Sequence, residues 1–461
     1  MKPYPLFAAF ALSACTTVGP DYKRPEMDLP AEYPVEASHE TPAIASDWWK
    51  LYSDSTLDEL VATTQKSNAD MRLAAARVQE ADAVLREARA AIFPDVSLGY
   101  SASRNRVSNL ALPTPPPGTI VRPNHQLLAS TNFELDFWGR FARATEAARA
   151  GLLGTRLAQD VVGLTLAGGT AQAYFALRSL DAQIVVLDNT IRARQDSLAI
   201  ARARLDAGLS PELDVHQAQG ALSDALVQRR DAARSRSLVE RQLAQLTGRL
   251  DLKLTAGDLF ALPLPPTPPA GLPSALLERR PDIRQAEETL VAANAQIGIA
   301  RAALFPTLSL TAAAGVQSAE LGTLLTSGAG IWTLGFGLAL PIFDAGRREA
   351  RVEQAQARRE QAVAGYQRAV ETGFREVADA LVNVQQTGEG EAELMARLQA
   401  ARSALELSTV RYESGYSPYL EVLDAQRTAN EAELAFVRNR QARLAFSVDL
   451  MKALGGGWAA R

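Results

Sequence analysis

Apolar residues along this chain recur with two different periods. Over 68–94, and again over 280–306, they recur every three or four positions, which predicts two amphipathic helices. Each helix ends at a Phe-Pro pair, because proline cannot continue a helix. After each pair, apolar and polar residues alternate strictly, as in a β-strand, and a turn-rich stretch and a second alternating run follow. We therefore predict one β-hairpin over 95–136 and another over 306–343.

A long helical stretch follows each predicted hairpin. Phe141–Asp206 and Arg348–Glu413 contain no proline and are rich in Ala, Arg, Glu and Gln. If continuous, each helix would be about 100 Å long at 1.5 Å per residue. Glycines such as Gly168 and Gly388 can bend or interrupt such helices.

Each long stretch ends in nearly the same sixteen residues. Arg204–Gln219 reads RLDAGLSPELDVHQAQ, and Arg411–Gln426 reads RYESGYSPYLEVLDAQ. The shared Gly favours a helix end and the shared Ser-Pro a new helix start, so we predict turns at 207–211 and 414–418. The chain therefore contains a two-fold internal repeat. In sequence order we expect a signal peptide (1–14), an extended N-terminal arm (15–54), the first repeat (55–247), a proline-rich connector (248–274), the second repeat (275–454) and a C-terminal tail (455–461).

A transmembrane helix is an alternative for part of the second hairpin, because Leu321–Phe343 has no charged residue. Its glycines and strict alternation favour strands instead, and the corresponding stretch of the first repeat carries Arg104, Arg106 and Arg122. Strands of this kind are typical of a transmembrane β-barrel. Four strands cannot close a barrel, and lipid does not tolerate open strand edges, so the chain should form an oligomer. The pattern alone does not choose between two chains and three.

The amino terminus predicts export and lipid attachment. Lys2 precedes an apolar run that ends at Leu12, in the order and length of a secretory signal peptide. Leu12-Ser13-Ala14-Cys15 is similar to the bacterial lipobox, in which the cysteine is freed and acylated. A stray buried cysteine is the alternative. We expect N-acyl and S-diacylglycerol groups on Cys15. By analogy with bacterial lipoproteins, Thr16 rather than Asp at the next position favours sorting to the outer membrane.

Composition narrows the functional classes. Of 461 residues, 47% are hydrophobic and 22% are charged, as in a globular protein. The formal net charge of −4 argues against a general nucleic-acid surface, which would be basic. The three histidines and one cysteine form no group with metal-ligand spacing. No nucleophile motif accompanies His216, and there is no glycine-rich phosphate loop. We therefore expect no enzyme, no metal and no cofactor besides the covalent lipid.

Several motifs together resemble the outer membrane factors, the TolC-like and OprM-like exit ducts of efflux pumps, particularly their lipoprotein branch. These motifs are the lipobox, Arg279–Ile283 with Phe305-Pro306, Pro341–Arg347, and Leu423–Arg427. The resemblance covers essentially the whole mature chain. It implies a mainly α protein with a membrane β part: a homotrimer with a twelve-stranded barrel in the outer membrane and a long α-helical barrel in the periplasm. A periplasmic adaptor protein and an inner-membrane pump, commonly of the resistance-nodulation-division type, are the implied partners.

The resemblance also implies roles for individual residues. The turns should contact the adaptor through Ala207, Gly208, Leu209, Ser414, Gly415 and Tyr416. Leu420 and Asp424 match positions that ring the closed periplasmic aperture, and Glu421 matches an acidic ring position. Tyr412 and Asp214 match a pair that links helices in the closed state, and we call this pair the latch. Some members of the family also have an arginine in the latch, and this chain has Ser417 at that position. A solvated acidic helix face is the alternative for the three aperture residues.

Two other functions fit parts of the sequence. An outer-membrane duct for type I protein secretion would have the same architecture. A periplasmic coiled-coil adaptor or scaffold would explain the long helices but not the two hairpins.

Overall fold

The computed structural model describes residues 17–27, 30, 33, 45–108, 110, 121–267 and 276–457. In chain order these form α1 (Ser55–Ser67), α2 (Ala69–Ala90), β1 (Val96–Arg106), β2 (Val121–Leu135), α3 (Arg140–Asp206), α4 (Glu212–Thr247), α5 (Leu276–Arg279), α6 (Pro281–Ala302), β3 (Thr307–Ser318), β4 (Gly330–Ala339), α7 (Arg347–Glu413) and α8 (Tyr419–Ala453), with 3-10 helices at Trp48–Tyr52 and Leu321–Thr323. The order of helix, hairpin, long helix and helix therefore occurs twice. The predicted fold class, mainly helical with an antiparallel sheet, is confirmed.

The long helices α3 and α7 have 67 residues each and are not interrupted at their glycines. Gly168 instead serves packing, because a Cβ there would collide with the aliphatic stem of Lys452. No helix in the described ranges combines the length and the apolar character needed to cross a membrane.

The four strands form one antiparallel sheet in the order β1-β2-β3-β4. The central pairing joins the two repeats, with Leu128 opposite Gly315. Residues opposite each other share a face, so every second residue lies on the same side. One side, which we call the apolar face, carries Val96, Leu98, Tyr100, Leu127, Phe133, Leu308, Leu310, Val316, Trp332, Leu334, Phe336 and Leu338. The other side carries mostly Ser, Thr, Asn, Gln and Gly, so the sheet separates an apolar from a polar environment.

The chain divides into two compact units, each built from three stretches of sequence. Unit 1 comprises Met1–Glu26, Arg77–Thr155 and Ala286–Tyr366, and it contains the sheet. Residues 17–26 of the N-terminal arm are bound within this unit. The Val18 amide donates to the Trp138 carbonyl at 3.0 Å, and Arg143 pairs with Asp21 at 2.7 Å.

Unit 2 comprises Met27–Ala76, Arg156–Gln285 and Gln367–Arg461. Its core contains Trp48 and Tyr52, which are 1% and 0% exposed, and the Tyr52 hydroxyl lies 2.7 Å from Ser447 Oγ. The prediction of an extended arm over 15–54 is therefore wrong for the end of that range. These large aromatic side chains are folded into the core because burying them removes extensive apolar area from water.

Candidate functional site

Two turns in unit 2 join the long helices to the helices that follow them. Residues 207–211 connect α3 to α4 and form tip 1, and residues 414–418 connect α7 to α8 and form tip 2. Gly208 and Gly415 have φ angles of 70° and 78°, the left-handed conformation that glycine adopts without strain. In tip 1 the amides of Gly208 and Leu209 donate back to the last turn of α3 at 2.8 Å each. This is the Schellman arrangement, and tip 2 repeats it.

The six residues predicted to contact an adaptor all lie in these turns and are exposed: Ala207, Gly208, Leu209, Ser414, Gly415 and Tyr416. The equivalent side chains Leu209 and Tyr416 are 68% and 81% exposed. Each tip therefore presents one large apolar side chain at the end of a helix pair.

Arg204, near the end of α3, connects the two repeats. Its Nη1 donates to the carbonyl oxygens of Tyr412 and Glu413 at 3.1 and 3.2 Å, in the last turn of α7. Its guanidinium carbon lies 4.9 Å from the centre of the Tyr412 ring. A cation is stabilised both at a helix C-terminus and over an aromatic face. Arg204 opens the repeated motif, but the motif itself does not indicate this role.

The latch residue Tyr412 is buried at this junction. It is 4% exposed, and its ring centre lies 5.4 Å from that of Tyr419. Its hydroxyl makes no hydrogen bond of ordinary geometry with any described residue. Burial raises the pKa of Tyr412, and the negative charge of the nearby Asp214 raises it further, while Arg204 opposes this. The two latch residues are therefore neighbours, and the hydrogen bond between them stays a prediction.

The three predicted aperture residues lie at the start of α8, and each of the two acids has an arginine beside it. Glu421 pairs with Arg411 at 3.2 Å, and Asp424 pairs with Arg427 at 2.8 Å. Both pairs are largely solvent-exposed, so each contributes at most about 1 kcal/mol to stability. Leu420 is also exposed. The arrangement can present an apolar side chain and charge-balanced pairs on one helix end.

A cavity of about 720 Å³ lies between α4 and α8. Leu420 and Asp424 line it, whereas Glu421 does not. Arg194 of α3 forms part of its wall and is 5% exposed. The Arg194 guanidinium donates to the Ala221 carbonyl. Burial lowers the pKa of Arg194, and the negative charge of Asp224 opposes this.

The remaining predicted site residue, Cys15, and the signal peptide 1–14 lie outside the described residues. Within the described ranges, no group of His, Cys, Asp and Glu side chains is arranged to hold a metal ion.

Comparison with known proteins places this geometry in context. The family model of the outer membrane efflux protein matches residues 60–249 and 272–456. The toluene efflux pump outer membrane protein TtgF of Pseudomonas putida is 35% identical over 474 residues, covering 97% of this chain and 95% of that protein. The cation efflux system protein CusC of Escherichia coli is 33% identical over 471 residues, covering 99% of both chains. The crystal structure of the open state of the Neisseria gonorrhoeae MtrE outer membrane channel superposes with a TM-score of 0.87 at 29% identity, covering 96% of this chain and 98% of that one.

Proposed function

The chain belongs to the outer membrane efflux protein family and is an outer-membrane efflux channel, and we propose that three copies of it form the passive exit duct of a tripartite pump. The observation that carries this proposal is the sheet. Strands β1 and β4 each have one edge without a partner strand in the described chain, and one face of the sheet is apolar. Open edges are not tolerated in lipid, so copies must pair edge to edge; three copies supply twelve strands.

The partners in this proposal are a periplasmic adaptor and an inner-membrane pump of the resistance-nodulation-division type. Support for the adaptor comes from Leu209 and Tyr416, two apolar side chains at equivalent, exposed positions of the two tips. Because the tips are the ends of long helix pairs, they are the natural contact surface for a second helical protein.

The gate in this proposal is the narrow end formed by the first turns of α8. Leu420 supplies an apolar constriction, and Glu421 and Asp424 supply charge. The Tyr412 ring and Arg204 hold tip 2 against the end of α3 in the closed state, which is supported by their 4.9 Å contact. An iris-like opening then requires this contact to break.

Small apolar molecules, including antibiotics, are the cargo we propose. Support comes from the relatives, since TtgF is named for toluene efflux and matches nearly the full length of this chain. CusC, named for cation efflux, is nearly as similar, so cations form the comparison class in any transport assay. We further propose that Cys15 carries the lipid anchor that holds the amino terminus at the outer membrane.

Electrophoresis and electrical recording test this proposal together. Purified protein should run on a gel as a heat-dissociable trimer and should conduct ions after insertion into a planar bilayer. Cells that lack the gene should become more sensitive to toluene and antibiotics while their secreted proteins stay unchanged. A monodisperse monomer that still conducts would contradict the trimer, and a secretion defect without drug sensitivity would indicate a type I secretion duct.

A further inference from the structure

Charge on the apolar face of the sheet is confined to one end. Among the described strand residues on this face, the only formal charges belong to Arg104 and Arg106, at the hairpin end of β1. The other charged strand residues, Arg122 and Glu134, lie on the opposite face, because they stand opposite Asn105 and Ser309 respectively. The two arginines are therefore an exception to an otherwise uncharged surface.

Along the same face of β1, the side chains that precede these arginines change from apolar to aromatic. Val96 and Leu98 come first, at the end nearer the helices, and Tyr100 follows. The Tyr100 hydroxyl lies 2.9 Å from His125 Nδ1 on the neighbouring strand. Aromatic residues with a polar end are typical of the border between the hydrocarbon core and the headgroups. The order from apolar to aromatic to cationic therefore brings Arg104 and Arg106 to headgroup level.

Neither arginine is neutralised by the rest of the described chain. Both are exposed, and neither forms a hydrogen bond or ion pair with a described residue. The sequence that follows them, residues 107–120, contains no Asp or Glu. Residues two apart on a strand point the same way and lie about 7 Å from each other, so both guanidinium groups can bind one anionic headgroup.

We propose that Arg104 and Arg106 form a binding site for the phosphate groups of a glycolipid in the outer leaflet of the outer membrane. The hairpin end of the sheet points away from the helices of unit 1, which puts it on the external side of the membrane. The outer leaflet there consists largely of glycolipid whose headgroup carries phosphates. Guanidinium binds phosphate through two parallel charge-assisted hydrogen bonds, with geometry that lysine does not reproduce. The proposal rests on the outer-membrane placement of the sheet and adds a lipid ligand to it.

Electron spin resonance of spin-labelled lipids tests this proposal. The full-length oligomer is reconstituted in phosphatidylcholine vesicles with a trace of either spin-labelled lipid A or spin-labelled phosphatidylcholine, and the motionally restricted fraction gives their relative association. A basic residue near a charged membrane surface strengthens association about fivefold, so the protein should prefer lipid A several-fold or more. The double variant Arg104→Gln, Arg106→Gln should lose most of this preference, and high salt should weaken it in the parent protein.

The control is Arg122→Gln, which removes one positive charge at the same end of the sheet but on the opposite face, and it should keep the parent's preference. Glu320→Gln removes the one acid between β3 and β4 and tests whether a neighbouring copy neutralises the arginines. If the double variant fails to assemble, two other measurements still test whether the two arginines bind lipid A. They are the salt dependence of the parent protein's lipid preference and the lipid preference of the Arg104→Lys, Arg106→Lys variant, which keeps both charges. Equal association of both lipids with a conducting parent protein would overturn the proposal, and failure to conduct at all would instead contradict the channel function.

Discussion

The guanidinium of Arg204 lies over the ring of Tyr412 at 4.9 Å and donates to the Tyr412 carbonyl at 3.1 Å, so one side chain of the first repeat holds the helix end of the second. The sequence repeat does not by itself predict this contact between Arg204 and Tyr412. The equivalent arginine, Arg411, turns to Glu421 within its own helix pair. The two turns have the same backbone geometry, but the equivalent arginines have different partners: Arg204 bonds to the other repeat, whereas Arg411 bonds within its own.

Loss of this contact should open the channel at rest. Arg204→Gln removes two charge-assisted hydrogen bonds and the contact with the ring, which together contribute about 1–3 kcal/mol. We expect the resting conductance in a planar bilayer to rise roughly tenfold, with increased sensitivity of cells to large antibiotics. Arg202→Gln is the matched control, because Arg202 is exposed and its hydrogen bond to Gln219, at 3.3 Å, stays within the first repeat. Similar leakage in both variants would show that general loss of charge is responsible.

The Tyr412 ring should contribute more to the closed state than its hydroxyl. Because the hydroxyl has no hydrogen bond of ordinary geometry with a described residue, Tyr412→Phe alone should leave single-channel conductance close to that of the parent. Tyr412→Ala removes the ring under Arg204 and leaves a cavity that costs about 3–5 kcal/mol, so it should raise the resting conductance strongly. Combining Asp214→Ala with Tyr412→Phe tests the latch as a pair. Equal leakage from the Phe and Ala variants would instead assign the latch to a Tyr412–Asp214 hydrogen bond.

The sequence predicts the backbone of this site better than its side-chain contacts. Glycine and Ser-Pro fix both turns locally, so the ends of α3 and α7 follow from a few neighbouring residues. The partner of Arg204 does not, because the repeat pairs Arg204 with Arg411 and Leu205 with Tyr412, and only the tyrosine provides a ring for the cation. Likewise Trp48 and Tyr52 follow a proline-rich stretch, and only the tertiary fold shows that they belong to the core.

Alkaline pH should destabilise unit 2 through buried Tyr174. Burial, then the hydrogen bond that its hydroxyl donates to Asp54 at 2.7 Å, raises the pKa of Tyr174 from 10.0 to about 12. Between these values the unfolded chain releases a proton that the folded chain keeps, so the free energy of unfolding falls by about 1.4 kcal/mol per pH unit. This contribution is constant below pH 10. Melting curves from pH 9 to 12 should fall less steeply for Tyr174→Phe than for the parent, whereas Tyr416→Phe at an exposed position should follow the parent.

Lipid attachment should depend on Cys15 alone. Because the sequence contains a single cysteine, replacing Cys15 by Ser should abolish labelling with a radioactive fatty acid. The same replacement should slow the removal of residues 1–14. Two or more acyl chains anchor a protein stably, whereas one binds only marginally. The variant should nevertheless remain largely in the membrane fraction, because the apolar face of the sheet holds it there. Normal labelling of the variant would exclude Cys15 as the acceptor.

The acids and the arginines around the start of α8 should have opposite effects on the ion selectivity of the closed channel. Asp424 and Arg427 lie 2.8 Å apart, and Glu421 and Arg411 lie 3.2 Å apart, so these two pairs are charge-balanced in each chain. Removing both acids (Glu421→Ala with Asp424→Ala) leaves the arginines uncompensated, which should reduce cation preference and weaken block by divalent cations added on the periplasmic side. Removing both arginines (Arg411→Gln with Arg427→Gln) leaves the acids uncompensated. This should increase cation preference and strengthen block by divalent cations, because like charges in a narrow pore attract counter-ions strongly.

A second exposed ion pair, in α4, is the control that separates a local effect on selectivity from a general change in charge. Asp231 and Arg234 of α4 lie 3.1 Å apart on an exposed surface, and Asp231→Ala and Arg234→Gln should each leave selectivity unchanged. Single-channel reversal potentials in asymmetric salt, with magnesium added to one side at a time, give both quantities. Shifts of opposite sign in the two double variants require these side chains to line the pore. If both double variants keep the parent's selectivity and block, the charges form a solvated outer face, and the aperture lies elsewhere on the helices.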